Sequence, residues 1–252
     1  MGKPVSRSWV LAAGCLLGAV AYGLAFAPVM LITERSFKAP LTYGSATGTI
    51  WRGEIEGLSL GAQPIGDVTY RLKPWSLLAL NISGAVEIDG AAQGAGQVSL
   101  GFGQSVRLRD VQLSAPHRML VGLAPDIRNA PGGIEIALDH AHFRGGRCQS
   151  IQGRARTAAL EAVGARWGWL GPALEGPLSC EAGLMIADLS GVSGEGEAVS
   201  VRLTLDEAGA ARLRAEVRQA SGSLTLALRQ LGFVNEAGVL VHERRARLGD
   251  GV

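Results

Sequence analysis

The chain has 252 residues, enough for one large domain or two small ones. Charged residues make up only 18% of it, and the formal net charge of +2 is too small to indicate a polyanionic partner. Lysines and arginines are scattered along the chain, mostly at alternate positions typical of a solvated strand face. We therefore expect no nucleic-acid-binding groove.

The N-terminal segment is apolar enough to cross a membrane. No charged residue occurs between Arg7 and Glu34, and about 20 apolar residues suffice to span the hydrocarbon core. Because backbone groups in lipid must be satisfied within the segment, the sequence predicts a transmembrane helix over residues 8–32. Lys3 and Arg7 favour a cytoplasmic N-terminus, residues 1–7.

Other interpretations of this segment stay open. Ala25-Phe26-Ala27 has the form of a signal-peptide cleavage site, although the apolar run continues beyond it and Pro28 follows directly. A lipoprotein signal ending at Cys15 fits less well, because few apolar residues precede that cysteine. Gly14 and Gly18 have the spacing of a helix-packing face, which leaves a homo-oligomeric contact open.

The rest of the chain alternates apolar and polar residues with the period of two that is typical of β-strands. Turn residues such as Asp89-Gly90 and Gly145-Gly146 separate these runs. The pattern predicts a mainly β domain with a curved antiparallel sheet, as a β-sandwich or an open roll. The clearest alternating runs are Val68–Leu72, Val98–Phe102, Ile134–Leu138, Val199–Leu205, Leu213–Val217 and Leu224–Leu228.

Three short stretches predict helical turns within this β-rich region: residues 74–80, 117–123 and 158–170. Pro74 stands where a first helical turn tolerates proline. We therefore divide the chain into a juxtamembrane linker over residues 33–44, a β domain outside the cytoplasm over residues 45–241, and a disordered basic tail over residues 242–252.

Cys148 and Cys180 are the only cysteines outside the predicted membrane helix. A pair of cysteines in a β-rich domain fits a disulfide formed in an oxidising compartment. Two buried free thiols are the alternative. A metal site is less favoured, because neither cysteine has a second ligand close to it in sequence.

A search for catalytic motifs finds no Gly-x-Ser-x-Gly nucleophile turn and no phosphate-binding glycine loop before a helix. His140 and His142 would share one face of a strand, but the local sequence offers no third ligand on that face. Glu195 and Glu197 flank a glycine and suggest a solvated loop. We expect no catalytic residue, no bound metal and no cofactor, so the sequence does not indicate an enzyme.

Two strings near the start of the β domain carry a specific resemblance. Gly48-Thr49-Ile50-Trp51-Arg52-Gly53 forms the first, and Gly66-Asp67-Val68-Thr69-Tyr70-Arg71-Leu72-Lys73-Pro74-Trp75-Ser76-Leu77-Leu78 forms the second. Together they resemble protein N of the bacterial type II secretion system. Tyr70 stands where that family typically has Trp. The structural motif residues are Gly48, Trp51, Gly53, Gly66, Pro74, Leu77 and Leu78.

The resemblance implies a single-pass inner-membrane component of the machine that exports folded proteins from the periplasm. It implies contacts with other secretion subunits and with the lipid bilayer, and it carries over no catalytic residue. It also implies a fold similar to that of the AsmA-like envelope proteins. That fold-level analogy suggests a lipid-binding or lipid-transfer module as the alternative function.

Overall fold

The computed structural model describes residues 41–61, 63–79, 81–119, 125–164 and 168–247. The predicted membrane helix over residues 8–32 lies outside these ranges. Within the described ranges, no helix combines the length and the apolar character needed to span a bilayer.

The described chain forms one open antiparallel sheet of 15 strands. The prediction of a mainly β fold with antiparallel pairing is therefore confirmed, and the sandwich alternative is not what the structure has. The strands, β1–β15 in chain order, are Leu41–Thr42, Ser45–Gly48, Arg52–Leu60, Gln63–Leu72, Asn81–Asp89, Gln93–Gly101, Ser105–Pro116, Gly133–Arg144, Arg147–Thr157, Leu174–Glu181, Leu184–Val192, Ala198–Leu205, Ala210–Arg218, Val234–Glu236 and Val239–Arg247.

From β3 to β13 each strand pairs with the next strand in sequence. Tight turns make this meander possible. Gly145 and Gly146, for example, have φ angles of 56° and 80° and join the paired residues Arg144 and Arg147. Two consecutive positive φ angles match the right-handed twist of the flanking strands, and glycine adopts them without steric penalty.

Helices connect a few of the strands. Two 3₁₀ helices span Pro74–Ala79 and His117–Met119, and three short α-helices span Pro125–Arg128 (α1), Ala159–Gly164 (α2) and Gly222–Gln230 (α3). Each of the three predicted stretches thus contains a helix, but the third is shorter than predicted, because it ends at Gly164 and residues 168–170 are not helical.

The strand interpretation of Leu224–Leu228 is wrong. This run lies in α3, where Leu224 and Leu228 are buried and Leu226 is 65% exposed. Buried residues four positions apart share one face of a helix. Leucines at every second position therefore resembled strand alternation, although the buried face of the segment has a helical period.

The sheet extends beyond both predicted domain boundaries. Leu41 and Thr42 pair with β3, so the sheet begins inside the predicted linker. Residues 242–247 of the predicted disordered tail belong to β15, which pairs with β13 from Leu240 to Arg247. Residues 242–247 lack an apolar alternation, and backbone pairing with β13 together with cross-strand charges such as Arg212 with Glu243 holds them on the sheet.

The main hydrophobic core lies where α3 packs on one face of the C-terminal strands. Leu224 and Leu228 of the helix contact a buried cluster contributed by β8 to β13 and β15. Burying a leucine side chain stabilises the fold by roughly 2 kcal/mol. The other buried members of this cluster are Ile134, Ala155, Trp169, Leu174, Leu178, Ala187, Leu189, Val199, Val217 and Leu240.

The N-terminal strands have a much smaller core. A second cluster contains Ala46 and Ile55, with Tyr43, Val68 and Tyr70 packed against it at partial burial. Farther along the same apolar face, the cross-strand pair Ile82 and Leu100 is 39% and 44% exposed. The apolar face of the sheet is therefore covered unevenly, well in the C-terminal half and poorly in the N-terminal half.

Glu197 is a buried carboxylate beside this main core, with only 1% of its surface exposed. It accepts hydrogen bonds from the Ser193 hydroxyl, from the indole N–H of Trp169 at 3.3 Å, and from the backbone N–H of Ser221. The interpretation of Glu197 as a solvated loop residue is wrong. The hydrogen bond from Ser193 is the main reason that the pKa of Glu197 lies below its ordinary value of 4.5.

The same carboxylate connects three segments that are separate in sequence. Ser193 and Glu197 belong to the β11–β12 turn, Trp169 precedes β10, and Ser221 is the N-cap residue of α3. An anion at a helix N-terminus is stabilised by the unpaired backbone N–H groups and by the helix dipole. Glu197 therefore holds the start of α3 against the sheet.

Cys148 on β9 and Cys180 on β10 form a disulfide with a Cα–Cα distance of 5.6 Å. The predicted pairing is therefore present in the structure. Nearby, the backbone N–H of Cys148 donates to the carbonyl of Gly183 at 2.9 Å. The disulfide cross-links the start of β9 to the end of β10.

We expect Glu197→Gln to destabilise the purified protein by about 2 kcal/mol at neutral pH, because a neutral amide cannot accept all three hydrogen bonds. Because the folded-state pKa is lowered, the ionised carboxylate stabilises the fold at pH values above its ordinary pKa of 4.5. This contribution is lost as the pH falls through the folded-state pKa. Urea unfolding followed by tryptophan fluorescence should show the difference between wild type and variant shrinking in acid. Glu195→Gln, in the same turn but exposed, is the matched control. Equal stabilities of wild type and Glu197→Gln at neutral pH would contradict this assignment.

Reduction should lower the free energy of unfolding by about 3–4 kcal/mol, because the disulfide closes a loop of 32 residues. Cys148→Ser/Cys180→Ser is the control and should not respond to reductant. Thiol labelling of the full chain in urea should modify Cys15 alone before reduction and all 3 cysteines afterwards. Labelling of all three without reductant would contradict the disulfide.

Candidate binding surface

The motif residues Gly48 and Gly53 lie opposite each other at the hairpin between β2 and β3. Tyr70 on β4 is paired with Gly53, and its hydroxyl donates to the carbonyl of Thr49 at 2.6 Å. A Cβ at Gly53 would come within 2.5 Å of the Tyr70 hydroxyl oxygen, so glycine is needed for the ring to cross the hairpin. Desolvation raises the pKa of Tyr70 above its ordinary value of 10.0, which keeps the hydroxyl a donor.

The next motif residues continue this arrangement into β5. The carbonyl of Trp51 accepts from the backbone N–H of Leu72 at 2.6 Å. Pro74 begins the 3₁₀ helix, in which the Ser76 hydroxyl donates to the carbonyl of Lys73 at 2.6 Å. The same hydroxyl oxygen accepts from the backbone N–H of Ser83 at 3.1 Å.

The remaining motif residues are distributed along β4 and the helix that follows it. Gly66 is near the start of β4, where a Cβ would lie 2.3 Å from the carbonyl oxygen of Asp89. Leu77 and Leu78 lie in the 3₁₀ helix. The described motif groups build the end of a sheet and do not form a cluster of nucleophile, acid and base. Trp75, in the same helix, is 81% exposed.

The two candidate metal-ligating histidines project from one face of β8, with buried Ala141 between them. His142 Nε2 lies 3.1 Å from the Ser105 hydroxyl oxygen, while His140 is exposed and is paired with Arg109 and Gln152. No group of three His, Cys, Asp or Glu residues placed to hold a metal ion occurs in the described part of the chain.

Charge is segregated along the polar face of the N-terminal strands. Five arginines lie toward the strand ends near the 3₁₀ helix over residues 74–79, and five carboxylates of β3 to β5 lie farther from that helix, starting with Glu54, two residues from Arg52. We call the first group the cationic face: Arg52, Arg71, Arg107, Arg109 and Arg144. The carboxylates are Glu54, Glu56, Asp67, Glu87 and Asp89, and all ten side chains are exposed.

The arginines of the cationic face make no ion pair with any residue that the structure describes. In contrast, several arginines of the C-terminal strands form an ion pair with a carboxylate. Arg202 lies 2.6 Å from Glu181, and Arg214 lies 2.9 Å from Glu216. Several cations are therefore neutralised within the C-terminal half, whereas those of the cationic face are left available.

A shallow depression of about 510 Å³ lies next to the cationic face, over β6 to β10. Its floor is formed by small residues such as Ala137, and its walls carry Glu135, Arg154, Arg156 and Glu175. Arg154 lies 3.5 Å from Glu175. Because the depression carries as many acidic as basic side chains, it offers no net charge to attract an ion.

The sequence analysis identified the individual arginines only as a solvated strand face. Their alignment depends on the pairing of β3 to β8, which brings together residues up to about 90 positions apart. The sequence signal that could have found them is the arginine near one end of each of four strands, β3, β4, β7 and β8. That signal has meaning only after the direction and register of each strand are known.

A comparison with protein families gives one result for the chain as a whole. The model of the family described as type II secretion system (T2SS), protein N, matches residues 39–241. The match covers most of the 252 residues and includes both motif strings. No curated protein and no solved structure matches the chain. The chain therefore belongs to the type II secretion system protein N family.

Proposed function

We propose that this chain is a non-catalytic inner-membrane component of the type II secretion system, which supports export of folded periplasmic proteins through contacts with other subunits. The observation that carries the proposal is the family match over residues 39–241. Family membership implies partners among the secretion subunits, and an exposed charged sheet face is suited to protein contacts.

The proposed placement has residues 8–32 crossing the inner membrane, the N-terminus in the cytoplasm and the sheet in the periplasm. The apolar segment between Arg7 and Glu34 supports the membrane crossing. The disulfide between Cys148 and Cys180 supports an oxidising compartment for the sheet, because cytosolic thiols are kept reduced.

A second candidate function is a lipid-binding module of the envelope. It is favoured by the incomplete cover of the apolar face, where Ile82 and Leu100 are 39% and 44% exposed and Phe102 in the next turn is 74% exposed. An acyl chain lying on this face would bury that surface. The family match does not favour this candidate.

A clean deletion of the gene should trap a folded cargo protein in the periplasm, because the machine would lose one of its components. Cell fractionation checks this by comparing cargo in periplasm and medium, with a strain lacking an established secretion subunit as reference. Expression of the full-length chain should restore export.

Normal export in the deletion strain would contradict the secretion proposal. Mass spectrometry of lipids that co-purify with the full-length chain, together with the export measurement, distinguishes the lipid-binding candidate from the secretion proposal. Stoichiometric phospholipid together with normal export and an altered envelope would favour the lipid-binding module.

A further inference from the structure

We propose that the cationic face is a docking site for an acidic segment of another protein subunit. The inference deepens the proposed function and rests on it, because it specifies the chemistry of one partner. Two observations support it independently. One is the alignment of the arginines across several strands, and the other is the direct opposition of like charges.

The strand register aligns three of these arginines, Arg52, Arg71 and Arg109, in one cross-strand row. Arg52 pairs with Arg71, and Arg71 pairs with Ala85. The row continues through Gln97 to Arg109 and then to His140. Arg107, two residues before Arg109, adds a charge in the next row, opposite His142. Five strand spacings separate β3 from β8, so the row is about 24 Å long, the length of roughly seven residues of extended chain.

Like charges lie directly opposite each other in this row. Arg52 and Arg71 occupy paired positions on adjacent strands, an arrangement that destabilises a sheet when no anion lies between the two side chains. Neither arginine has an ion-pair partner among the residues that the structure describes. A carboxylate from a partner would convert this repulsion into two favourable charge-assisted contacts.

The position of the charges favours a protein over a membrane surface. Arg109 lies inside β7, on the broad polar face, whereas Arg71 is close to the end of β4, where the neighbouring turns carry exposed Trp75 and Phe102. A bilayer contacting those turns would meet the strand ends and leave the face of the sheet exposed. An extended acidic segment crossing the strands would reach the whole row.

The distribution of charge also determines where along the strands an acidic partner can bind. The carboxylates farther along the strands include a direct pair, Asp67 and Asp89, so an acidic segment is attracted at one end of the strands and repelled farther along them. This charge segregation would fix where along the strands the partner lies.

Site-specific photo-crosslinking tests the proposal in cells that contain the assembled machine. A photoreactive residue replaces Gln97, which is exposed in the middle of the row. We expect one adduct with an acidic segment of a secretion subunit, mapped by mass spectrometry. Arg107→Glu/Arg109→Glu should lower its yield roughly tenfold, because attraction becomes repulsion at two positions. Replacement of the mapped acidic residues by lysine should restore the yield.

Arg118→Glu/Arg229→Glu provides the matched control, because both residues are exposed, lie outside the row and undergo the same change in charge. It should leave the adduct unchanged. Arg52→Gln/Arg71→Gln provides a second variant, which should weaken the adduct while preserving or raising the melting temperature, since it removes the like-charge pair.

Several results would overturn the proposal: an adduct insensitive to Arg107→Glu/Arg109→Glu, a mapped segment without acidic residues, or adducts with lipid alone. Failure of the proposed function is read separately, from cargo export in the deletion strain. Loss of export with an adduct insensitive to charge would retain the function and reject the cationic face as its docking site.

Discussion

The hydrogen-bonded register of one continuous meander is the constraint on which the rest of this structure depends. Because each strand from β3 to β13 pairs with its neighbour in sequence, every residue's face is fixed by its position in the strand. One face becomes apolar along the whole sheet and the other becomes polar. Helix α3 packs on the apolar face only in the C-terminal half, with Glu197 holding its first turn. Burial and stability are consequently concentrated there.

The same register gives the polar face its electrostatic character. Arginines that are distant in sequence become neighbours because successive strands reverse direction, and carboxylates of β3 to β5 lie farther along the strands. In the C-terminal half the acids and bases interleave and form ion pairs, such as Arg202 with Glu181 and Asp188. In the N-terminal half the charges are separated along the strands. A separated pattern gives up local ion pairing and presents a surface that can attract and orient a charged partner.

The sequence analysis predicted the features that depend on local pattern. Alternation identified strands such as Val199–Leu205, paired glycines identified the turn at Gly145 and Gly146, and the pairing of Cys148 with Cys180 followed from cysteine count. It failed where a local pattern was ambiguous or tertiary contacts prevailed. Leucines at every second position imitated a strand in α3, and Glu197 was taken as solvated because its partners Trp169 and Ser221 are distant in sequence. The row of arginines was not predictable, because alternation does not reveal the register that aligns them.

Hydrogen exchange followed by mass spectrometry on the purified full-length chain tests most directly the claim that α3 makes the two halves of the sheet unequal. The strands that share the main core with α3, such as β10 to β13, should retain deuterium protection far longer than β4 to β6, because opening them exposes that core. Leu228→Ala should erase most of this difference by removing a buried contact of the helix. Equal protection of the two sets of strands in the wild-type protein would contradict the account.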